Sequence, residues 1–189
     1  MLDRVCGYMD VDPESIELKF LPKQSQWLVD GSGATLPGAA GTYQNRFGKF
    51  RISLSVTELR EPTALVGTIA HELAHVRLMG EDRMTGDEFD NELLTDLTVV
   101  HFGLGVFLAS SPRVYVSGFT KWPETDADKP EYMTSPMFGW ALAHLAWHRG
   151  EATPDWLRHV QGDSRDTCKQ GLRYLFATQD SWYRPSPQR

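Results

Sequence analysis

His71-Glu72-Leu73-Ala74-His75 holds the residue types best suited to chemistry in this chain. On a helix, positions four apart lie about 40° from each other around the axis, so both imidazoles face one way and can share one ion. Glu72 sits one position round, where its carboxylate reaches a water beside that ion. Two imidazole ligands and a carboxylate base form the pattern of a metal-assisted hydrolytic site, and zinc is the metal it suits. A second stretch, Asn91-Glu92-Leu93-Leu94-Thr95-Asp96, follows, with Glu92 placed 17 residues after His75. That interval leaves room for a turn and a reversal of direction. Glu92 would then complete a His-His-Glu ligand set with one position open to water. Asp96 lies one helical turn beyond Glu92 on the same face, where its carboxylate can take a hydrogen bond from the back nitrogen of a ligand imidazole. Taken singly, the first stretch can arise by chance on an ordinary helix, and an acidic pair one turn apart can be a solvated helix face. Taken together, they predict a zinc site.

The flanking patterns say which elements must position these groups. Ile16 to Leu21 and Phe50 to Val56 alternate as half-buried strands do. Pro62 suits the first turn of a helix that runs through Leu65, Val66, Ile69, Leu73, Val76 and Leu78, with Gly80 as its stop. Thr85-Gly86-Asp87-Glu88 has the form of a capping box and predicts a second helix through Leu93, Leu94, Leu97 and Val100, ending near Gly103 or Leu108. Further helices are expected from Ser135 to about Arg149, near 154–160 and near 164–177. The stretches 30–41 and 110–134 read as loops, the tail 184–189 reads as frayed, and no internal repeat is visible. Strands first and helices later predict an α+β class. The expected organisation is a single domain, with an N-terminal α+β lobe over 1–84 and a helical lobe over 85–189.

Composition bounds the function. The chain has 189 residues, 41% of them apolar, and a formal charge of −6. That is enough apolar material for a packed core. No basic excess exists to neutralise phosphates or a charged bilayer surface, so neither nucleic acid nor membrane is expected as a partner. No basic-then-apolar leader opens the sequence and no apolar run approaches the roughly 20 residues of a membrane span. A cytoplasmic location is the expectation, with export by a signal-less route left open. Two cysteines, Cys6 and Cys168, are too few for a disulfide framework.

Residues 71–75 with 91–96 resemble the gluzincin group of zincin metallopeptidases, which includes the thermolysin family. The resemblance covers about residues 50–110, includes the strand before the helix, and extends to the small size of the compact gluzincins. It implies a zincin-like fold: a small mixed sheet plus the active-site helix, followed by a helical lobe. It also implies one Zn2+ per chain on His71, His75 and Glu92, Glu72 as general base, and Asp96 orienting His71. The implied activity is hydrolysis of a peptide or protein substrate. Gluzincins add a Tyr or His that hydrogen-bonds the oxyanion, and Tyr115, Tyr132 and His144 are the candidates, each also readable as a packing residue. His144 and His148 repeat the four-residue spacing without a Glu between them and read better as an amphipathic helix face. His101 lies about 180° from Glu92 on a helical wheel and is not expected in the site. Gly41 to Gln44 reads either as the edge strand along which zincins hold extended peptides or as a loop. Cys6-Gly7-Tyr8-Met9-Asp10 resembles the cysteine switch of matrix metallopeptidase zymogens, but an ordinary buried cysteine is the better reading. The loops at 30–41 and 110–134 leave room for a protein activator or inhibitor and favour a narrow substrate range. Two rival readings stay open: a catalytically silent zinc-binding regulatory or interaction module, and a hydrolase of a non-peptide amide. Oligomeric state has no signature in the sequence.

Overall fold

The computed structural model describes residues 1–21, 28–29, 35–36, 41–46, 49–85, 89–111 and 121–181. Tyr115, most of the expected loop 30–41, residues 112–120 of the second expected loop and the C-terminal tail lie outside the described residues. The chain divides into two compact units, Met1–Glu88 and Phe89–Arg189. Its class is α+β: among the described residues the strands lie in the first unit and most helices in the second. Among the described residues, no helix is long and apolar enough to cross a membrane.

The first unit is built on a three-stranded mixed sheet. Strand β1 (Ile16–Leu21) pairs in parallel with β5 (Lys49–Ser55), placing Leu18 beside Ile52. Strand β4 (Gly41–Arg46) pairs antiparallel on the other side of β5, with Thr42 beside Ser53. The spatial order β1-β5-β4 leaves β4 at an edge, so Gly41 to Gln44 form a strand rather than a loop. A separate two-stranded ribbon joins β2 (Leu28–Val29) and β3 (Thr35–Leu36). Glu17 and Arg51 are direct neighbours across the parallel pair, and the Arg51 Nε donates to the Glu17 carboxylate at 2.9 Å. That bond holds the Glu17 carboxyl below its ordinary range.

The alternation along β5 buries Ile52 and Leu54 fully and turns them toward the core. The helix α2 (Pro62–His75) packs over this face, with Pro62 in its first turn as the missing N–H there allows. From Gly67 onward every residue of α2 is buried, so this is an interior helix and not an amphipathic surface one. A short 3-10 turn (Val56–Arg60) leads into it, and Thr68 donates to the Glu58 carboxylate at 3.1 Å across that corner. After His75 the helix continues as a π turn over Val76–Gly80, where it ends at the expected glycine. Arg77 in the π turn donates to the Asp10 carbonyl at 3.1 Å and pairs with Glu81 at 2.5 Å. Asp10 is the left-handed C-cap of α1 (Leu2–Met9), a helix the sequence reading did not anticipate. Its buried residues are Val5, Cys6 and Met9, and it packs on α2.

The second unit is helical: α3 (Asn91–His101), α4 (Gly105–Ala109), α5 (Ser135–His148) and α6 (Gly162–Thr178). Residues 86–88 of the expected capping box lie outside the described residues. Helix α3 begins at Asn91, six residues beyond Thr85, behind a turn at Phe89 and Asp90, with no side-chain cap. A cap is worth about 1 kcal/mol. Burial of Leu93, Thr95, Asp96, Val99 and Val100 fixes the helix instead. Gly103 takes a φ of +84° between α3 and α4, a conformation that costs glycine least. The helix expected near 154–160 is a 3-10 turn (Asp155–His159), held between the extended residues Pro154 and Val160. Helices α5 and α6 pack closely through Gly139, whose added Cβ would lie 2.5 Å from the Ser164 carbonyl oxygen. Phe138, Leu142 and Trp147 of α5 with Cys168, Leu172 and Leu175 of α6 belong to the core.

Candidate metal centre

His71, Glu72 and His75 are the interior of α2, exposed by only 1%, 3% and 7%. That burial takes the two imidazoles and the carboxylate between them out of bulk water. The i, i+4 spacing sets the two imidazoles edge to face, with ring centroids 4.8 Å apart and planes at 87°. Glu92 stands in the first turn of α3 and is half-buried. One ligand atom each from His71, His75 and Glu92 lies within 4.8 Å of the other two, so the group can hold a metal ion. Tetrahedral ligands about 2.0–2.2 Å from a zinc ion sit roughly 3.4 Å apart, a separation inside the 4.8 Å within which these atoms lie. Two nitrogens and one carboxylate oxygen are a donor set for a borderline divalent ion, and three protein ligands leave a coordination position open.

Asp96, one turn further along α3, is 2% exposed. Its Oδ2 accepts the Met133 backbone N–H at 2.9 Å. This bond fixes the segment before α5 against α3, and it brings in two residues the sequence reading missed. Burial raises the Glu131 carboxyl above its ordinary range, and the Glu92 charge adds to that, while Lys129 opposes it. Lys129 is itself 5% exposed, with its ammonium 4.8 Å above the centre of the Phe89 ring. Neither residue lies in a periodic element, so no spacing rule could have pointed to them. The only local sign is an acid and a base flanking Pro130.

The remaining candidates fall in different places. Tyr132 is half-buried, next in sequence to Met133. His144 is turned onto its own helix, with Nδ1 3.1 Å from the Trp140 carbonyl oxygen and its ring against Trp140. Among the described residues, neither His144 nor His148 joins a group of three ligating side chains. His101 is exposed and packs edge-on to Phe102. Cys6 is fully buried, and burial together with Asp3 pushes its thiol up to about 11. A switch thiol would need a lowered value to act as a thiolate ligand, so Cys6 reads as core packing.

No family model matches this chain, and no curated protein or solved structure is detectably similar to it.

Proposed function

We propose that this protein is a zinc-dependent hydrolase of peptide bonds, with His71, His75 and Glu92 as the metal ligands and Glu72 as general base. The observation that carries this reading is the approach of three ligand atoms to within 4.8 Å, two of them from the imidazoles that flank the buried Glu72 on α2. A bound zinc ion would polarise the scissile carbonyl and lower the pKa of the attacking water toward neutrality. Glu72 takes the proton from that water and returns it to the departing amine, so one carboxylate serves both halves of the reaction. Asp96 holds the His71 ring in the tautomer and orientation that ligation needs. Among the described residues β4 is an edge strand, and an edge offers backbone donors and acceptors to an extended substrate chain. The resemblance of residues 71–75 and 91–96 to gluzincins supports the same assignment, including the choice of zinc.

The test joins metal analysis to a search for cleaved bonds. The purified chain is expected to hold about one zinc, and His75→Ala or Glu92→Ala to lose most of it. Glu72→Gln keeps size and removes the base, so it is expected to retain zinc and lose about 10²–10⁴-fold in hydrolysis. Cleavage is read as new peptide termini across a whole lysate. A wild-type chain with bound zinc and no new termini would overturn the peptidase reading and leave a metal-binding module. Full zinc retention by His75→Ala would overturn the ligand assignment.

A further inference from the structure

A cavity of about 610 Å³ lies beside α6 in the second unit, lined by Arg158, Arg165, Lys169 and Arg173 with Leu172 and Phe176. Its volume falls in the range of small-molecule sites, about 300–1,000 Å³. Arg165, Lys169 and Arg173 recur every fourth residue along α6 and therefore share one face. Like charges at this spacing repel, and Arg165 stands near the positive end of the helix dipole. The ion pairs found among the described residues are made elsewhere, by Glu17, Arg51, Arg77, Glu81, Lys121 and their neighbours. The Arg165 Nε is buried and has no hydrogen-bond partner. An uncompensated buried donor and a repelling row of cations are both costs to the free protein. Among the described residues that line it, Asp155 is the one carboxylate, so these residues carry a net charge of +3 in a chain whose total is −6.

We propose that this cavity binds a small organic phosphate of the nucleoside diphosphate kind. Planar guanidinium groups match phosphate oxygens two at a time, which suits the three arginines to this class better than to a simple monovalent anion. The apolar wall formed by Leu157, Leu172 and Phe176 takes the organic body, and the Phe176 ring offers a stacking face. A diphosphate brings negative charges in a number comparable to the cationic excess of the lining. The site does not depend on the proposed hydrolase chemistry and involves none of its residues.

The experiment is calorimetric titration of the full chain with ADP and, in parallel, with pyrophosphate, repeated in His75→Ala to exclude phosphate held on a metal ion. Saturable ADP binding is expected in both proteins, and weaker pyrophosphate binding because the apolar wall is left unused. Arg165→Gln with Arg173→Gln is expected to weaken ADP at least about a hundredfold, at ten or more for each charge-assisted contact removed. If that double variant does not fold, Lys169→Gln alone is expected to cost about tenfold. Lys121→Gln, a surface cation outside the cavity, is expected to leave affinity unchanged. Failure of both probes to bind, unchanged affinity in the folded cavity variants, or binding abolished by His75→Ala would each overturn the proposal.

Discussion

Asp96 carries the sharpest test at the scale of a single residue. Its carboxylate is buried and already accepts one backbone N–H, from Met133. Asn at this position keeps the shape and an accepting oxygen, so the bond to Met133 survives, but the negative charge is gone. If Asp96 polarises His71, Asp96→Asn is expected to weaken zinc about 10–100-fold, measured by competition with a chelator of known affinity. Wild-type affinity would show that its role ends at Met133. Glu131 supplies a pH dependence of definite sign. Its carboxyl is raised in the folded chain by burial and by Glu92. A raised carboxyl means the folded state holds its proton more firmly than the unfolded state, so stability from this group falls as pH rises through the window above 4.5, its ordinary value. In metal-free protein, Glu131→Gln is therefore expected to gain stability over wild type as pH rises from 4 to 7, read from paired denaturant melts. A difference that stays flat across this range would place Glu131 in water.

At the scale of elements, Gly139 controls how closely α5 approaches α6. A Cβ there meets the Ser164 carbonyl oxygen at 2.5 Å and the Thr167 Cβ at 2.7 Å, and the first of these is backbone that cannot swing away. Gly139→Ala is expected to destabilise the fold by about 1–3 kcal/mol despite its better helix propensity, measured by chemical denaturation. A gain in stability would mean the two helices slide apart at little cost. The same elements show what a sequence can and cannot reveal. β1 and β5 were legible from alternation, which in β5 buries Ile52 and Leu54, while α2 was legible from its Pro62 start, its Gly80 stop and the apolar run between them, although nearly all of that helix is buried. In α1 the apolar residues Leu2, Val5, Cys6 and Met9 do recur at helical spacing, but eight residues are fewer than a helix needs to stand without its partner, so the stripe alone did not mark one. The helix α3 starts at Asn91; residues 86–88 of the capping box lie outside the described residues, and burial of Leu93, Val99 and Val100 is what fixes the described helix. The π turn after His75 leaves no mark, since five residues are too few to show a changed repeat. At the candidate metal centre, the four-residue spacing was enough to set His71 and His75 on one face. Glu92 needed the second stretch of sequence, and Lys129 and Glu131 arrive by an irregular segment that no pattern describes.

For the molecule as a whole, order of synthesis matters, because the first unit closes on itself through distant partners. Val5, Cys6 and Met9 of α1 are buried in a unit completed by α2, and Glu17 of β1 meets Arg51 of β5 across 34 positions. A ribosome delivers the chain from one end at about 5–20 residues per second, so roughly 3–13 s separate the appearance of α1 from that of His75. Throughout that interval the apolar stripe of α1 and the inner face of β5 have nothing to cover them. Nascent chains arrested before α2 has left the exit tunnel are expected to be digested throughout, and those arrested after Gly80 has emerged to yield a protected first unit. A resistant fragment from the shorter chains would mean that α1 and the sheet close without α2. For a helix of eight residues, the cost of pairing with a partner some sixty residues later is a period of adhesiveness in a crowded cell, when holding chaperones and neighbouring nascent chains compete for the surface that α2 will later occupy.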